Sequence, residues 1–325
     1  MSSPDYSNLS TCESRLAELK ALGIPEAALQ RYLQSRNLPI PDGVDDFKKA
    51  VAEELSAEQI RDILTQYKYA GRQTLNYFVI TGLSKYSYEE LVASVEDEFP
   101  VQDDVENVSR KPFMSHSERE GPRLYLTFGY YESTGGVEIT TGKRKPELTT
   151  QRAVGVVRPD TDLLEIRTSD PDMAEKIRDG IVSSMGQYKS SSTYRPDFGG
   201  EFRRQFNSRV EKYYNLRVQV EDDEDSTIDT ISFTSKKDET GERRDAREDD
   251  RVAKELEGGG EITIGYVELA DGFKFQINRK QSKVSILKSE REENINAITE
   301  IIDGVLRETD GYTQGTLGGL TDVPE

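Results

Sequence analysis

Leu164-Glu165-Ile166-Arg167-Thr168-Ser169 and Val284-Ser285-Ile286-Leu287-Lys288-Ser289 share one pattern: alternating strand residues run straight into a serine. Asp170, Pro171 and Asp172 follow the first serine, and Glu290, Glu292 and Glu293 follow the second, which is the chemistry of a helix N-terminus. Upstream of the first junction the period is two. Leu124, Leu126 and Phe128 alternate with Tyr125, Thr127 and Gly129, Gly135-Gly136 predicts a turn, and Ala153–Val157 and Leu163–Arg167 continue as strands joined around Pro159-Asp160. Upstream of the second junction, Ile262–Leu269, a turn at Asp271-Gly272, Phe273–Ile277 and Lys283–Leu287 repeat the order. One helix is expected to run to about Met185, and another to carry Ile295, Ile298, Ile301, Ile302, Val305 and Leu306 on one stripe. The prediction is two antiparallel β-meander-plus-helix units, with Ser169 and Ser289 as helix caps.

Before these units the spacing is helical. Helices are expected over Thr11–Leu22, from Pro25 past Leu33, over Val44–Leu55, from Ser56 with the Ser56-x-x-Gln59 capping pair and onward past Gly71 to Ile80, and over Ser87–Phe99. Asp103–Pro122 is polar and reads as a linker in which His116 is solvated. Gly199–Tyr214 predicts a helix with Phe202, Phe206, Val210 and Tyr213 on one side, followed by a strand at Leu216–Val220. Lys236–Gly260 is nearly all charge and glycine and reads as a solvated excursion, with a short helix available at Asp249–Leu256. The fold class is therefore α+β: an N-terminal helical bundle (1–105), a first unit (106–198), a second unit (199–310) with a charged insertion at 236–260, and a flexible tail (311–325).

Composition narrows the setting. Across 325 residues acids outnumber bases 61 to 43, for a net charge of -18, and Arg (25) exceeds Lys (18). Such repulsion is tolerable in molar salt, where charges are screened within about 3 Å. The expectation is a halophilic archaeal protein of the cytoplasm. Neither a membrane span nor a signal peptide is expected. An acidic mesophilic protein with disordered segments is the competing interpretation.

One His and one Cys leave no material for the usual zinc site or for a nucleophile-histidine pair, and Cys12 reads as a packing residue. No phosphate-binding glycine loop is present. Catalytic residues, metal ligands and cofactors are accordingly not assigned, and a magnesium-dependent enzyme using Asp160 and Asp162 ranks last.

On so acidic a chain, a local reversal of sign is the informative signal. It occurs at Lys143, Arg144 and Lys145 with Arg152, and again along Lys189, Arg195, Arg203, Arg204, Arg209, Lys212 and Arg217, interleaved with Tyr188, Tyr194, Phe198 and Tyr214. Cations tracking phosphates, with rings available to stack, suit nucleic acid. The same arginines suit pairing with acids across a helix face while the phenylalanines fill a core. The expected function is a non-enzymatic binding or scaffold protein whose partner is nucleic acid. The alternative is a subunit of a larger protein assembly.

Ile60-Arg61-Asp62-Ile63-Leu64-Thr65-Gln66-Tyr67, leading through Tyr77-Phe78 and Glu89–Phe99 into Arg123-Leu124-Tyr125-Leu126-Thr127-Phe128-Gly129-Tyr130, resembles the centromere protein N family over about residues 50–185. The resemblance implies a helical death-fold-like domain joined to curved sheet and helix units, with a nucleosome-binding role. It carries no DNA-contacting residue onto this chain.

Overall fold

The computed structural model describes residues 9–69, 73–101, 110–137, 144–186, 193–220, 229–239, 241, 243–270 and 272–309. The fold is mixed α and β, with one antiparallel sheet of eleven strands among these residues. Four helices come first: α1 (Cys12–Ala21), α2 (Glu26–Ser35), α3 (Phe47–Glu54) and α4 (Ala57–Tyr67). They close around their own core of Leu19, Leu29, Leu33, Val51, Ile60, Ile63 and Leu64. The Ser56/Gln59 capping box is formed as its spacing requires, each side chain satisfying the other's backbone N–H.

Past Tyr67 the chain does not continue as a helix. Gln73–Ile80 is strand β1, and it sits in the middle of the sheet. Its last six residues are all buried, so it shows no alternation, which is why a continuous apolar run passes for helix. The remaining strands are β2 (Phe113–Glu120), β3 (Arg123–Val137), β4 (Arg144–Arg158), β5 (Leu163–Arg167), β6 (Thr193–Tyr194), β7 (Lys212–Gln219), β8 (Thr230–Thr234), β9 (Glu261–Glu268), β10 (Lys274–Asn278) and β11 (Lys283–Ile286). Their order is β2-β3-β4-β5-β1-β11-β10-β9-β7-β8, with β6 pairing the end of β1. Helices α5 (Tyr88–Glu98), α6 (Pro171–Ser184), α7 (Gly200–Arg209), α8 (Asp250–Glu257) and α9 (Glu292–Glu308) complete the fold.

Both β5 and β11 run antiparallel to β1, one on each side of it. Phe78, Ile80, Leu164 and Ile166 pack with α5 and α6, whereas Leu75, Tyr77, Val284 and Ile286 pack with α7 and α9. Facing residues in an antiparallel pair share a side of the sheet, so α6 and α9 lie on opposite faces. A half-turn about the β1 axis brings one closing helix towards the place of the other.

Several local expectations are corrected. The helical domain, expected to reach residue 105, gives way to sheet at β1, and α5 packs on that sheet. The polar segment before Pro122 contains β2, an edge strand held by its ladder to β3 with Met114 as its buried apolar anchor, so alternation never signals it. His116 is thus half-buried in a strand, its Nε2 3.7 Å from Glu118. The backbone of β3 runs straight through Gly135-Gly136, which pair with Pro146 and Lys145. Asp170, not Ser169, caps α6, and the N-cap position of α9 is Arg291, which makes no side-chain cap, not Ser289. Helix α7 ends at Arg209, and Tyr213 belongs to β7. The charged insertion does not simply excurse into solvent: Ala246 and Val252 are buried in the second core, and Asp249 caps α8. The expected tail lies outside the described residues. Among the described residues no helix is long and apolar enough to cross a membrane.

Candidate functional site: a cationic cleft between the helical layer and the sheet

The arginines singled out along α7 do not converge. Arg203 pairs with Glu261 at 3.5 Å, Arg204 with Glu201 one turn away, and Arg209 with Glu308 at 2.5 Å. Arg195 bonds Glu175 at 2.6 Å and lies over the Phe78 ring. Each of these four arginines is paired with a carboxylate, Arg195 sharing Glu175 with Arg178, the outcome expected where acids outnumber bases. The neighbouring rings are core: Phe198, Phe202 and Phe206 form a stacked row, with centroids 4.4 and 5.6 Å apart. Arg152 donates to the Lys68 carbonyl at 3.3 Å and lies over Tyr69. Arg144 and Lys145 are backbone members of β4, and Lys143 lies outside the described residues.

Asp160 and Asp162 hold loops. Both Asp162 carboxylate oxygens accept backbone N–H groups, from Gly82 at 3.0 Å and Ser84 at 3.3 Å, while Asp160 faces Arg307 at 3.9 Å. Among the described residues no group of three or more His, Cys, Asp or Glu is placed to hold a metal ion.

A reversal of sign does occur elsewhere. A cleft of about 860 Å³ opens where α2 and the end of α4 meet β7, β10 and the β11–α9 connection. Five cations line it, Arg31, Arg243, Lys274, Lys288 and Arg291, against one lining carboxylate, Glu290; Arg31 pairs with Glu290, Arg291 with Glu293 and Lys274 with Glu268, the last two carboxylates lying outside the lining. Tyr67, Tyr214 and Phe273 border it, the first and last almost fully buried and Tyr214 half-buried. These cations come from positions 31 to 291, so no window of sequence contains them. Gly272, with φ +81°, turns the chain so that Phe273 and Lys274 reach the rim.

Two arrangements fix the walls. The helical layer is fastened to the β11–α9 connection by Arg31 with Glu290 at 3.0 Å, Arg36 with Glu293 at 3.2 Å, and Arg291 Nη1 donating to Ser35 Oγ at 3.1 Å. Gln66 accepts the Glu293 N–H, doing for α9 what Ser289 does not. On the far wall Lys274 bonds Glu268 at 3.1 Å and sits 5.6 Å from the Tyr214 ring centre, Arg243 donates to the Ser235 carbonyl, and Lys288 is exposed. Burial first, and Glu290 next, push the Tyr67 hydroxyl up to about 12; it donates to the Ala28 carbonyl at 3.0 Å, and the ring is buried.

A buried charge network locks α9 to the sheet. Arg167 bonds Glu165 at 2.5 Å and Glu292 through two bonds of 2.6 and 2.8 Å, and its side chain is fully buried. Tyr125 donates to Glu292 at 2.9 Å, Tyr77 donates to Thr299, Thr299 donates to Glu165, and Arg158 donates to Asn296. The two arginines and two glutamates balance. Burial opposes the charge on Glu292, but Arg167 and the hydrogen bonds from Arg167 and Tyr125 hold its carboxyl below the ordinary value. A carboxyl held low when folded contributes stability that is present above its ordinary value and lost as pH falls through the folded one. The urea midpoint of the wild-type chain is therefore expected to drop as pH goes below 4.5, and Glu292→Gln to show a shallower drop over the same window.

No family model and no curated protein sequence matches this chain.

Proposed function

We propose that the protein is a non-enzymatic, intracellular binding protein that takes a single-stranded nucleic-acid segment into the cationic cleft. One observation carries this: on a chain of net charge -18, the cleft is lined by five cations and one carboxylate, with one half-buried ring, Tyr214, at its wall. Phosphates seek the cations, and bases find a stacking surface in the half-buried Tyr214 ring. A recessed site suits the brine setting proposed from composition, because screening within about 3 Å at molar salt leaves contact-distance pairs as the useful attraction. The lone Cys12 fits a reducing interior. The relation of α6 and α9 across β1 supports a duplicated β-meander-plus-helix unit placed after a helical domain, a binding architecture of the kind the centromere protein N resemblance implies.

Fluorescence anisotropy with a labelled oligothymidylate tests the proposal. Reversing two unburied cations, Lys274→Glu with Lys288→Glu, is expected to weaken binding by about a hundredfold, tenfold for each lost phosphate contact. Arg203→Glu with Arg204→Glu is expected to leave affinity within about threefold, as neither residue lines the cleft. The opposite pattern would reject the cleft and restore the α7 face.

A further inference from the structure

The two ends of the sheet are built differently. At one end β2 carries His116, Glu118, Arg119 and Glu120 and a bulge between Met114 and His116, the usual defences of an exposed edge. At the other end β8 reads Thr230-Ile231-Ser232-Phe233-Thr234, without charge, proline or bulge, and among the described residues it pairs with β7 alone. The Ser235 N–H bonds the Tyr214 carbonyl and the Val220 N–H bonds the Asp229 carbonyl, so residues 229, 231, 233 and 235 turn their backbone groups towards β7. By alternation, Thr230, Ser232 and Thr234 turn theirs outward.

We propose that β8 is a homodimerisation strand, pairing antiparallel with β8 of a second copy about a two-fold axis at Ser232. That register is self-complementary. Ser232 faces its own copy and Thr230 faces Thr234, so the three outward residues of each copy form about six backbone hydrogen bonds. Ile231 faces Phe233 across the axis. Both lie on the side of β7 that buries Leu216 and Val218, both are half-buried, and Phe233 packs on the second core, so dimerisation extends that core across the seam. The flanks agree in sign: Asp229 before the strand meets Lys236-Lys237 after it. A second copy is preferred to an unrelated strand because this one sequence satisfies hydrogen bonds, apolar pairs and flanking charges at once.

Two bodies of charge -18 repel, so association strengthens as salt rises, by roughly tenfold or more between 0.1 M and 3 M. Nucleic-acid binding has the opposite salt dependence, which separates this proposal from the cleft. Sedimentation equilibrium of the full chain is expected to show a dimer at 3 M salt and dissociation at 0.1 M. Ser232→Pro removes an outward N–H without touching the β7 ladder and is expected to give a monomer at both salts, with the wild-type melting temperature at 0.1 M salt, where the wild type is dissociated too. In a Cys12→Ser background, Ser232→Cys is expected to form a covalent dimer on mild oxidation, whereas Lys288→Cys is not. A wild-type chain that is monomeric at 100 µM in 3 M salt overturns the proposal. So does a dimer that survives Ser232→Pro, or, should that variant fail to fold, the absence of the Ser232→Cys cross-link.

Discussion

Arg167→Met is expected to destabilise the protein by about 3–5 kcal/mol, read as a fall in the urea midpoint at constant m. The substitution keeps an apolar stem of similar length, so lost packing is a minor part of the effect. What remains is Glu165 and Glu292, both buried, with their principal counter-charge gone. Although burial opposes it, the pair holds the Arg167 guanidinium above its ordinary value, so the charge being removed is one the fold has committed to. Removing charges together is far milder than removing one. Glu165→Leu combined with Arg167→Met is accordingly expected to cost less than the sum of the single changes, by a coupling of about 1–3 kcal/mol. A loss below about 1 kcal/mol for Arg167→Met would mean that water or another group already serves these carboxylates. The same variant reports on function, since Glu292 begins the helix whose first turn walls the cleft.

Gly180→Ala is the second large effect. A Cβ at this position of α6 would stand 2.1 Å from Phe99 Cζ and 2.8 Å from its two neighbouring ring carbons. Phe99 cannot simply swing away, because its ring is buried and packs edge-on against Phe128 at 5.0 Å. Overpacking of this kind costs about 1–3 kcal/mol. Better helix propensity returns about 1 kcal/mol, which leaves a net loss of about 1–2 kcal/mol. Phe99→Leu placed on Gly180→Ala is expected to recover part of it, measured by thermal unfolding. An unaffected single variant would contradict the packing of α5 on α6.

Those two sites show where sequence pattern carries and where it does not. The strand-to-helix junctions at Arg167 and Ile286 are legible because acids mark the first turn of each following helix and β11 alternates between buried and half-buried residues, even though β5 is buried throughout. Strand β1 escaped because it is covered on both faces and so has no period to show. Strand β2 escaped for the opposite reason: as a polar edge it is held by backbone bonds, which leave no mark in side-chain identity. The functional reading divides the same way. Positive charge stands out on an acidic chain, yet a window of sequence finds only clustered cations, and the clustered cations on α7 lie near acids as well. Arg31, Arg243, Lys274, Lys288 and Arg291 are brought together only when α2, β10 and the start of α9 meet. The one local hint was the Gly272-Phe273-Lys274 turn, whose geometry was legible and whose destination was not.

Photochemical cross-linking places the ligand directly. Protein irradiated with a bromouracil-substituted single strand, followed by peptide mapping, is expected to yield adducts at Tyr214, the half-buried ring at the cleft, and to lose them in the Lys274→Glu, Lys288→Glu double variant. Adducts confined to peptides around α7, or adducts at the cleft that persist in that variant, would contradict a ligand held there by charge.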